Sequence, residues 1–275
     1  MDGCMYISLN GKIIKDHEAG ISPVSEGFMY GYGLFETVKV QEGKMYFFTE
    51  HMERLRRGCS ILEMKLEFSP DVICQWCDAL IDKNNLFHGG VRIAYTKNGD
   101  LYDLLITTRE HPYPKEQYEK GWKVCFSPMK RNPESLLAGI KSNNYLENIL
   151  SLRKAKEKGY DEAIFLNVYG KITEGAISNI FFVKNHIVYT PSAACGILRG
   201  IMRDKVIHIM RSIGVELQIG QYAKEEIYEA DEIFATNSLI DIMPVSQLEN
   251  KKFDLQKASV TIMLMEELRK FYDAT

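Results

Sequence analysis

The sequence predicts an α+β protein with two domains. Short strands, hairpin turns and amphipathic helices fill its first half, and strands mixed with helices return in the second half. Between the halves, 111–116 holds two prolines with charged neighbours, a composition that continues neither a helix nor a strand. We therefore expect an N-terminal domain over 1–115 and a second domain over 116–275.

Turn signals and apolar spacing define the elements of the first half. Asn10-Gly11 is a pair preferred in tight hairpins, and 41–44 forms a second hairpin turn. Thr49 is expected to cap the helix that follows this turn. The strands expected here are 5–9, 37–40, 45–48, 91–96 and 101–107, and the helices are 50–62 and 70–84.

The second half alternates strands and helices along its length. Gly196 and Gly200 precede a helix whose apolar residues recur at helical spacing. The strands expected in this half are 123–127, 163–167, 180–183, 187–190 and 232–236, and the helices are 143–158, 200–213 and 258–272.

Composition is typical of globular, enzyme-sized proteins. Of the 275 residues, 45% are apolar and 26% are charged, and the net charge is −3. This balance indicates neither a nucleic-acid partner nor a membrane surface, and no run of about 18 apolar residues is present to span a bilayer. Acidic and turn-forming residues stand where a signal peptide would be apolar, so we expect a cytoplasmic protein.

Six cysteines are scattered along the chain, and Cys74 and Cys77 form a Cys-x-x-Cys pair. Such a pair serves redox chemistry or supplies half of a zinc site. It lies in a predicted helix, with neither a second pair nor a His-x-x-x-His motif elsewhere. We expect buried or half-buried free thiols and no metal site.

Lys141 is the most informative residue in the chain. It follows Gly139 in an otherwise uncharged run and comes directly before a polar helix start. Partial burial there would lower the pKa of a lysine, and a neutral amine attacks carbonyl groups, which is the chemistry of a Schiff base with pyridoxal phosphate (PLP). For this residue alone, an ordinary surface lysine is the alternative.

Four further features suit a phosphorylated ring. A helix that starts near Gly200 would direct the free N–H groups of its first turn at an anion. Thr236 closes a predicted strand with a hydroxyl, and Arg54 is a cation on a predicted helix. Glu174 precedes the small residue Gly175, so a flat ring has room to approach the carboxylate. The alternatives are a plain loop, a plain turn, a surface arginine and an exposed glutamate.

In their order along the chain, these segments resemble the fold type IV PLP enzymes: branched-chain aminotransferases, D-amino-acid aminotransferases and aminodeoxychorismate lyases. The resemblance extends over 28–245 and rests on order and spacing rather than on a single motif. The matching segments are 30–37, 50–55, 141–146, 173–175 with 178–179, 189–191, 200–203, and 236–238 with 244–245.

The resemblance implies a small N-terminal α/β domain and a larger C-terminal domain with a β-barrel-like core. Lys141 would form the Schiff base and shuttle protons, Glu174 would pair with the pyridine nitrogen, and Tyr145 would lie near the ring oxygen. The groups implied to hold the phosphate are Arg54, Thr236 and the backbone N–H groups of Ile201 and Met202. Many aminotransferases of the family have threonine where Met202 stands, so only backbone contacts are implied there.

The resemblance also bears on the reaction. The carboxylate trap of the D-amino-acid enzymes and the aromatic–arginine pattern of the branched-chain enzymes are missing from 91–100, while 27–33 and 236–245 look most like aminodeoxychorismate lyases. We expect a lyase that converts 4-amino-4-deoxychorismate to 4-aminobenzoate and pyruvate in folate biosynthesis. The alternative is an aminotransferase that acts on branched-chain or D-amino acids with a 2-oxo acid acceptor. The residues expected on the substrate side are Phe35, Thr37 and Lys97.

The resemblance further implies a homodimer with shared active sites and a small-molecule amino substrate. Apolar residues near the 97–103 loop would otherwise be exposed beside the substrate, so a partner is expected to cover them. These residues are Leu101, Tyr102, Leu104 and Leu105. A non-catalytic protein that kept the fold is the remaining alternative.

Overall fold

A computed structural model describes residues 5–110 and 113–273. The first four residues, which include Cys4 and part of the segment used for the leader prediction, lie outside the described residues, as do His111 and Pro112 of the predicted linker. Contacts divide the chain into two compact units. The first comprises Met1–Pro112 and Ile140–Tyr145, and the second comprises Tyr113–Gly139 and Leu146–Thr275. The predicted boundary after residue 115 stays a prediction.

The first unit is built on a six-stranded antiparallel sheet with strand order β2-β1-β6-β5-β3-β4. Its strands are β1 Tyr6–Leu9, β2 Lys12–Lys15, β3 Gly33–Gln41, β4 Lys44–Tyr46, β5 His88–Asn98 and β6 Leu101–Glu110, and its helices are α1 Glu26–Tyr30, α2 Phe48–Ile61 and α3 Pro70–Lys83. Apolar residues of α2, α3, β3 and β5 form its core, which includes Val38, Leu55, Leu80 and Ile93.

The start of α2 differs from the prediction. Its N-cap residue is Phe47, which has a left-handed backbone conformation (φ 58°) and makes no side-chain cap. The helix begins at Phe48, and Thr49 lies exposed within its first turn, so the prediction of Thr49 as the cap is wrong. Phe48 packs against the core of the first unit, and we attribute the helix start to burial of this ring.

The β5–β6 hairpin corrects the expected apolar surface near residue 101. Leu101 is exposed, but Leu104 is fully buried, and Tyr102 and Leu105 are half-buried. Alternate residues of a strand face opposite sides of the sheet, so Leu104 turns into the core. The expectation that all four side chains lie exposed is therefore wrong.

The second unit is built on a nine-stranded mixed sheet that curls into a half-barrel, with order β12-β11-β10-β13-β14-β7-β8-β9 and with β15 paired to β14. Its strands are β7 Trp122–Arg131, β8 Glu162–Asn167, β9 Ile172–Gly175, β10 Asn179–Lys184, β11 Ile187–Pro191, β12 Leu217–Gly220, β13 Glu232–Asn237, β14 Asp241–Leu248 and β15 Lys251–Lys252. Its helices are α4 Lys115–Lys120, α5 Leu146–Glu157, α6 Ile201–Ser212, α7 Lys224–Tyr228 and α8 Ser259–Asp273.

A short helix occupies part of the predicted linker. Pro114 is the N-cap of α4, which begins at Lys115, so the linker prediction is wrong for Lys115 and Glu116. A proline is tolerated at a helix start because the N–H that it lacks has no acceptor there.

The five described cysteines are free thiols. Cys59, Cys77 and Cys195 are buried, and Cys74 and Cys125 are half-buried, which confirms the prediction for these residues. Within 5–110 and 113–273, no cluster of three or more His, Cys, Asp or Glu residues is arranged to hold a metal ion. No helix in this part of the chain has the length and apolar character needed to cross a membrane.

Candidate active site

Lys141 lies beside β3 because its segment pairs with that strand. The Phe35 N–H donates to Lys141 O, and the Asn143 N–H donates to Gly33 O, each over 2.9 Å. These residues are therefore engaged in strand-like pairing. For this reason α5 begins at Leu146, three residues later than predicted.

The half-buried amine of Lys141 lies against two aromatic rings of the first unit. Its Nζ is 4.4 Å from the ring centroid of Phe35 and 5.4 Å from that of Tyr145. The two rings meet edge to face with centroids 5.3 Å apart. Ring faces attract a cationic group, which favours this position of the amine. The structure thus brings together three of the residues predicted for the site.

Arg92, an exposed residue of β5, is a further candidate for the site that the sequence analysis did not single out. Its guanidinium carbon lies 3.8 Å from the ring centroid of Phe35, the same ring that contacts Lys141. On β5 it stands opposite Thr37 of β3, a half-buried residue of the predicted substrate side. A guanidinium stacked on a ring keeps N–H donors for a carboxylate. The sequence held one sign of this placement. Val91 and Ile93 are buried, and because side chains alternate along a strand, Arg92 between them points to the face of the sheet away from the core.

Lys97, the third residue predicted on the substrate side, is held at the end of the β5–β6 hairpin. Its Nζ donates to Gly99 O over 2.7 Å and lies 5.5 Å from the ring centroid of Tyr102. A role of Lys97 toward substrate stays a prediction.

Arg54 belongs to a buried charge cluster on the other face of β3. Its Nε and Nη2 donate to the two carboxylate oxygens of Glu36 over 2.8 and 2.5 Å. His51 Nδ1 lies 2.6 Å from Glu36 Oε2. The side chains of Glu36 and His51 are each 1% exposed, and that of Arg54 is 10% exposed. The Arg54 guanidinium of α2 is therefore held in place by the buried Glu36 carboxylate of β3.

The cluster has defined charges. Burial alone would raise the pKa of Glu36, but the Arg54 guanidinium and the His51 ring outweigh it and lower this pKa to about 2. Burial lowers the pKa of His51 despite the nearby carboxylate, and the positive charges of Arg54 and Lys141 act in the same direction. At neutral pH the cluster therefore holds one carboxylate, one guanidinium and one neutral imidazole.

In the second unit, Glu174 is a buried carboxylate fixed by three groups. The Leu198 N–H donates to its Oε2 over 3.0 Å, and Asn179 Nδ2 donates to the same oxygen over 3.3 Å. Arg131 Nη2 lies 3.8 Å from Oε1. Glu174 lies on β9, a short strand that the sequence analysis did not predict.

The first turn of α6 lies next to Asn179. The N-cap of α6 is Gly200, which has no side chain that could accept a hydrogen bond from the first turn. The N–H groups of Ile201 and Met202, at the start of the helix, also have no acceptor within it. A Cβ atom on Gly200 would lie 2.1 Å from Asn179 Oδ1, and this close approach requires glycine. Asn179 also donates to Leu198 O over 2.9 Å, which ties β10 to the loop before α6.

Thr236 completes a set of donors for an anion in this unit. Its Cα is paired with that of Asn179 across β13 and β10. Thr236 is fully buried, and its Oγ1 has no hydrogen-bond partner among the described residues. A buried hydroxyl left without a partner is costly, so this site fits a ligand that supplies an acceptor. A phosphate at the N-terminus of α6 meets that requirement.

The model of the family described as Amino-transferase class IV matches residues 33–248. The chain belongs to this family. The class IV aminotransferases and lyases are PLP-dependent, and the expectations of an enzyme and of a fold type IV architecture are confirmed.

Individual members of the family match almost the whole chain. Aminodeoxychorismate lyase of Bacillus subtilis is 30% identical over 94% of this chain and 92% of its own length. A putative branched-chain-amino-acid aminotransferase of Methanocaldococcus jannaschii is 29% identical over 96% of both. The crystal structure of the Escherichia coli branched-chain amino acid aminotransferase superposes with a TM-score of 0.88 at 26% identity, covering 96% of this chain and 93% of that one. Sequence identity therefore does not separate the two reactions.

Proposed function

We propose that this class IV enzyme binds pyridoxal 5'-phosphate through Lys141. The observation that carries the proposal is the Lys141 amine held against Phe35 and Tyr145, the residue types and positions that the family resemblance implies. When bound, PLP supplies an electron sink that makes the proton on the substrate carbon next to the amine acidic.

The second unit supplies the groups that suit the rest of the cofactor. Thr236 Oγ1 and the N–H groups of Ile201 and Met202 would donate to the phosphate. From the first unit, Arg54, fixed by Glu36, would add positive charge to the phosphate. Glu174, oriented by Asn179 and the Leu198 N–H, would hold the proton of the pyridine nitrogen. Each of these roles rests on the family resemblance and on the local geometry of its own unit.

We further propose that the reaction is the conversion of 4-amino-4-deoxychorismate to 4-aminobenzoate and pyruvate. Lys141 Nζ and the Arg92 guanidinium contact one ring, at 4.4 and 3.8 Å from its centroid, so they are separated by no more than the sum of these distances. The substrate carries its amine and one carboxylate at opposite ends of a six-membered ring. A carboxylate bound by Arg92 would therefore leave the amine end near Lys141.

The residues then act in a simple order. Arg92 and Thr37 bind the ring carboxylate, and Phe35 packs against the ring. Lys141 removes the proton from the ring carbon that bears nitrogen. The enolpyruvyl C–O bond breaks, the ring becomes aromatic, and the departing group takes up a proton to leave as pyruvate. No water is consumed, so the buried surroundings of Phe35 suit the reaction.

An aminotransferase is the second candidate, favoured by the Methanocaldococcus relative and by the Escherichia coli structure. Lys141 would then move a proton from the substrate carbon to the cofactor carbon. In an α-amino acid, amine and carboxylate share one carbon, so Arg92 would bind the far carboxylate of a dicarboxylic partner such as 2-oxoglutarate.

We propose that the enzyme is a homodimer with shared active sites. Apolar side chains are exposed along a segment that ends in α1. They are Ile21, Val24, Phe28, Met29 and Tyr30. Several exposed apolar side chains within ten residues of sequence suit a second copy of the chain as their cover. The cytoplasmic location and the folate pathway stay predictions.

Two assays on the purified protein with added PLP test the proposal. The first supplies 4-amino-4-deoxychorismate and measures 4-aminobenzoate and pyruvate. The second supplies D- and L-amino acids with 2-oxoglutarate and measures glutamate. Rapid release of both products in the first assay, with slow turnover in the second, supports the lyase. Rapid glutamate formation without 4-aminobenzoate would replace it with the aminotransferase, and no turnover and no PLP binding would reject both.

A further inference from the structure

The turn between β9 and β10 is held by a buried carboxylate that the proposed mechanism does not use. Glu162 of β8 is fully buried. Its Oε1 accepts the N–H groups of Ala163 and Ala176 over 2.8 and 2.9 Å. Its Oε2 accepts the Ile177 N–H over 3.1 Å and the Ser178 hydroxyl over 2.7 Å. The carboxylate therefore contacts three consecutive residues of the turn.

The Glu162 carboxylate is surrounded by hydrogen-bond donors rather than by an ion pair. Burial raises the pKa of Glu162, and the Ser178 hydroxyl and three backbone N–H groups oppose this rise. All four partners are donors, and only the ionised carboxylate accepts from all of them without losing an acceptor site. None of the described lysine, arginine or histidine residues forms an ion pair with it. A buried charge of this kind is costly to keep.

The carbonyl side of the same turn is fixed as well. Asn148 Nδ2 donates to Ala176 O over 2.7 Å, and Asn237 Nδ2 donates to Ile177 O over 2.9 Å. A Cβ atom on Gly175 would lie 2.6 Å from Glu162 Oε2, so glycine is needed for the carboxylate to approach. The N–H and C=O groups of both Ala176 and Ile177 are thus held by side chains.

The turn links two residues of the candidate site. Glu174 lies on one side of it and Asn179 on the other, and Asn179 Nδ2 donates back to Glu174 Oε2 over 3.3 Å. Asn179 is also the residue paired with Thr236 and in contact with the position of Gly200. A shift of the turn would therefore move the Glu174 carboxylate and the residue that orients it together.

We infer that Glu162 is a positioning residue that fixes the Glu174 carboxylate for the pyridine nitrogen of the cofactor. This inference rests on the proposed function, because it gives Glu174 that role. The purely structural alternative is that Glu162 only stabilises the turn. The positioning role predicts that a Glu162 variant that still folds changes the protonation of the PLP ring nitrogen. The purely structural role predicts that it does not.

The experiment compares Glu162→Gln with Ser178→Ala and with a matched control, Glu232→Gln. Glu232 is also a buried carboxylate, and it accepts from Val260 N and from Thr261 N and Oγ1 at the start of α8. Three quantities are measured: amide hydrogen exchange of the turn without cofactor, the ¹⁵N resonance of PLP labelled at its ring nitrogen, and the turnover rate. Glu174→Gln serves as the reference for a lost pyridinium.

We expect Glu162→Gln to expose the Ile177 amide to exchange, because an amide side chain cannot accept from all four donors. The Ala176 N–H also donates to Ala163 O over 2.9 Å, so its protection should change less. The nitrogen resonance should shift in the direction given by Glu174→Gln. Loss of outer partners of metal ligands costs on the order of 10- to 100-fold, and we expect a similar loss of turnover here. Ser178→Ala, which keeps the carboxylate, should change all three quantities less and in the same direction. Glu232→Gln should lower thermal stability without moving the nitrogen resonance.

Two results would overturn the inference. One is an Ile177 amide that stays as protected in Glu162→Gln as in the wild type. The other is a pyridinium resonance that both Glu162→Gln and Ser178→Ala leave at its wild-type position while Glu174→Gln shifts it. If Glu162→Gln does not fold, Ser178→Ala decides by the same criteria. Failure of the proposed function has a different signature, since the wild-type protein itself would then show no bound, protonated PLP. In that case the role of Glu162 toward the cofactor is rejected together with the proposed function, and the exchange data describe only the stability of the turn.

Discussion

Replacing Glu36 by glutamine tests the buried cluster of the first unit. Glu36→Gln keeps the shape of the side chain but removes the negative charge that the buried guanidinium of Arg54 faces on β3. The pKa of Glu36 lies near 2 instead of its usual 4.5, and each unit corresponds to 1.36 kcal/mol, so the ionised form gains about 3 kcal/mol from folding. Breaking a buried pair typically costs roughly 3–5 kcal/mol. We therefore expect Glu36→Gln to lower the free energy of unfolding by about 3 kcal/mol.

The same cluster makes this difference depend on pH. Because the pKa of Glu36 is lower in the folded protein, its carboxylate stabilises the fold above about pH 4.5, and this contribution is lost as the pH falls toward 2. The stability difference between wild type and Glu36→Gln should thus be constant near neutral pH. It should shrink as the solution is acidified through that window.

Urea unfolding at a series of pH values measures both effects. The control is Glu53→Gln on the same helix, since Glu53 pairs with Arg57 at 3.9 Å with side chains 52% and 65% exposed. An exposed pair of this kind contributes about 0.5 kcal/mol or less. A loss below about 1 kcal/mol for Glu36→Gln, or a difference from wild type that does not change on acidification, would refute the reasoning.

Three further variants test the candidate site. Lys141→Ala should abolish turnover and the visible absorbance of lysine-bound cofactor while circular dichroism shows an intact fold, and wild-type absorbance in this variant would remove Lys141 from the mechanism. Glu174→Gln should still bind PLP but lose on the order of 10²-fold in turnover, because a neutral amide stabilises a pyridinium poorly; an unchanged rate would mean that another acid has this role. Thr236→Val removes the buried hydroxyl with little change of shape, and spectrophotometric titration should show PLP binding weakened by about tenfold or more, whereas equal affinity would contradict its assignment to the phosphate.

Elements with a clear period were predictable from the sequence. Helix α6 was expected over 200–213 and runs over Ile201–Ser212, because its apolar spacing is regular and glycine precedes it. Strand β14 was not predicted. Pro244 lies within it, and a register shift between Val245 and Gln247 interrupts its alternation, so the pattern of a strand is hidden.

The same limit applies to the site. Contiguous segments such as the one around Lys141 were predictable because their residues stand side by side in the sequence. The cluster of Glu36 with His51 and Arg54 was not, since these partners lie 15 and 18 residues away and meet only when α2 packs on β3. The period of β3 places Glu36 on the core face, but it does not reveal that a guanidinium meets it there.

The assignment of Ile140–Tyr145 to the first unit has a consequence for how this chain is made and recombined. Synthesis proceeds from the N-terminus, so the strand-side pairing of Phe35 with Lys141 waits until the opening stretch of the second unit, Tyr113–Gly139, has been translated. A gene fragment that stops near residue 115 would encode a first unit without its lysine. An exchange of halves between relatives at that point would take the lysine segment from one parent and β3 from the other. The two units are therefore distinct in their contacts, but a single cut in the gene cannot separate them.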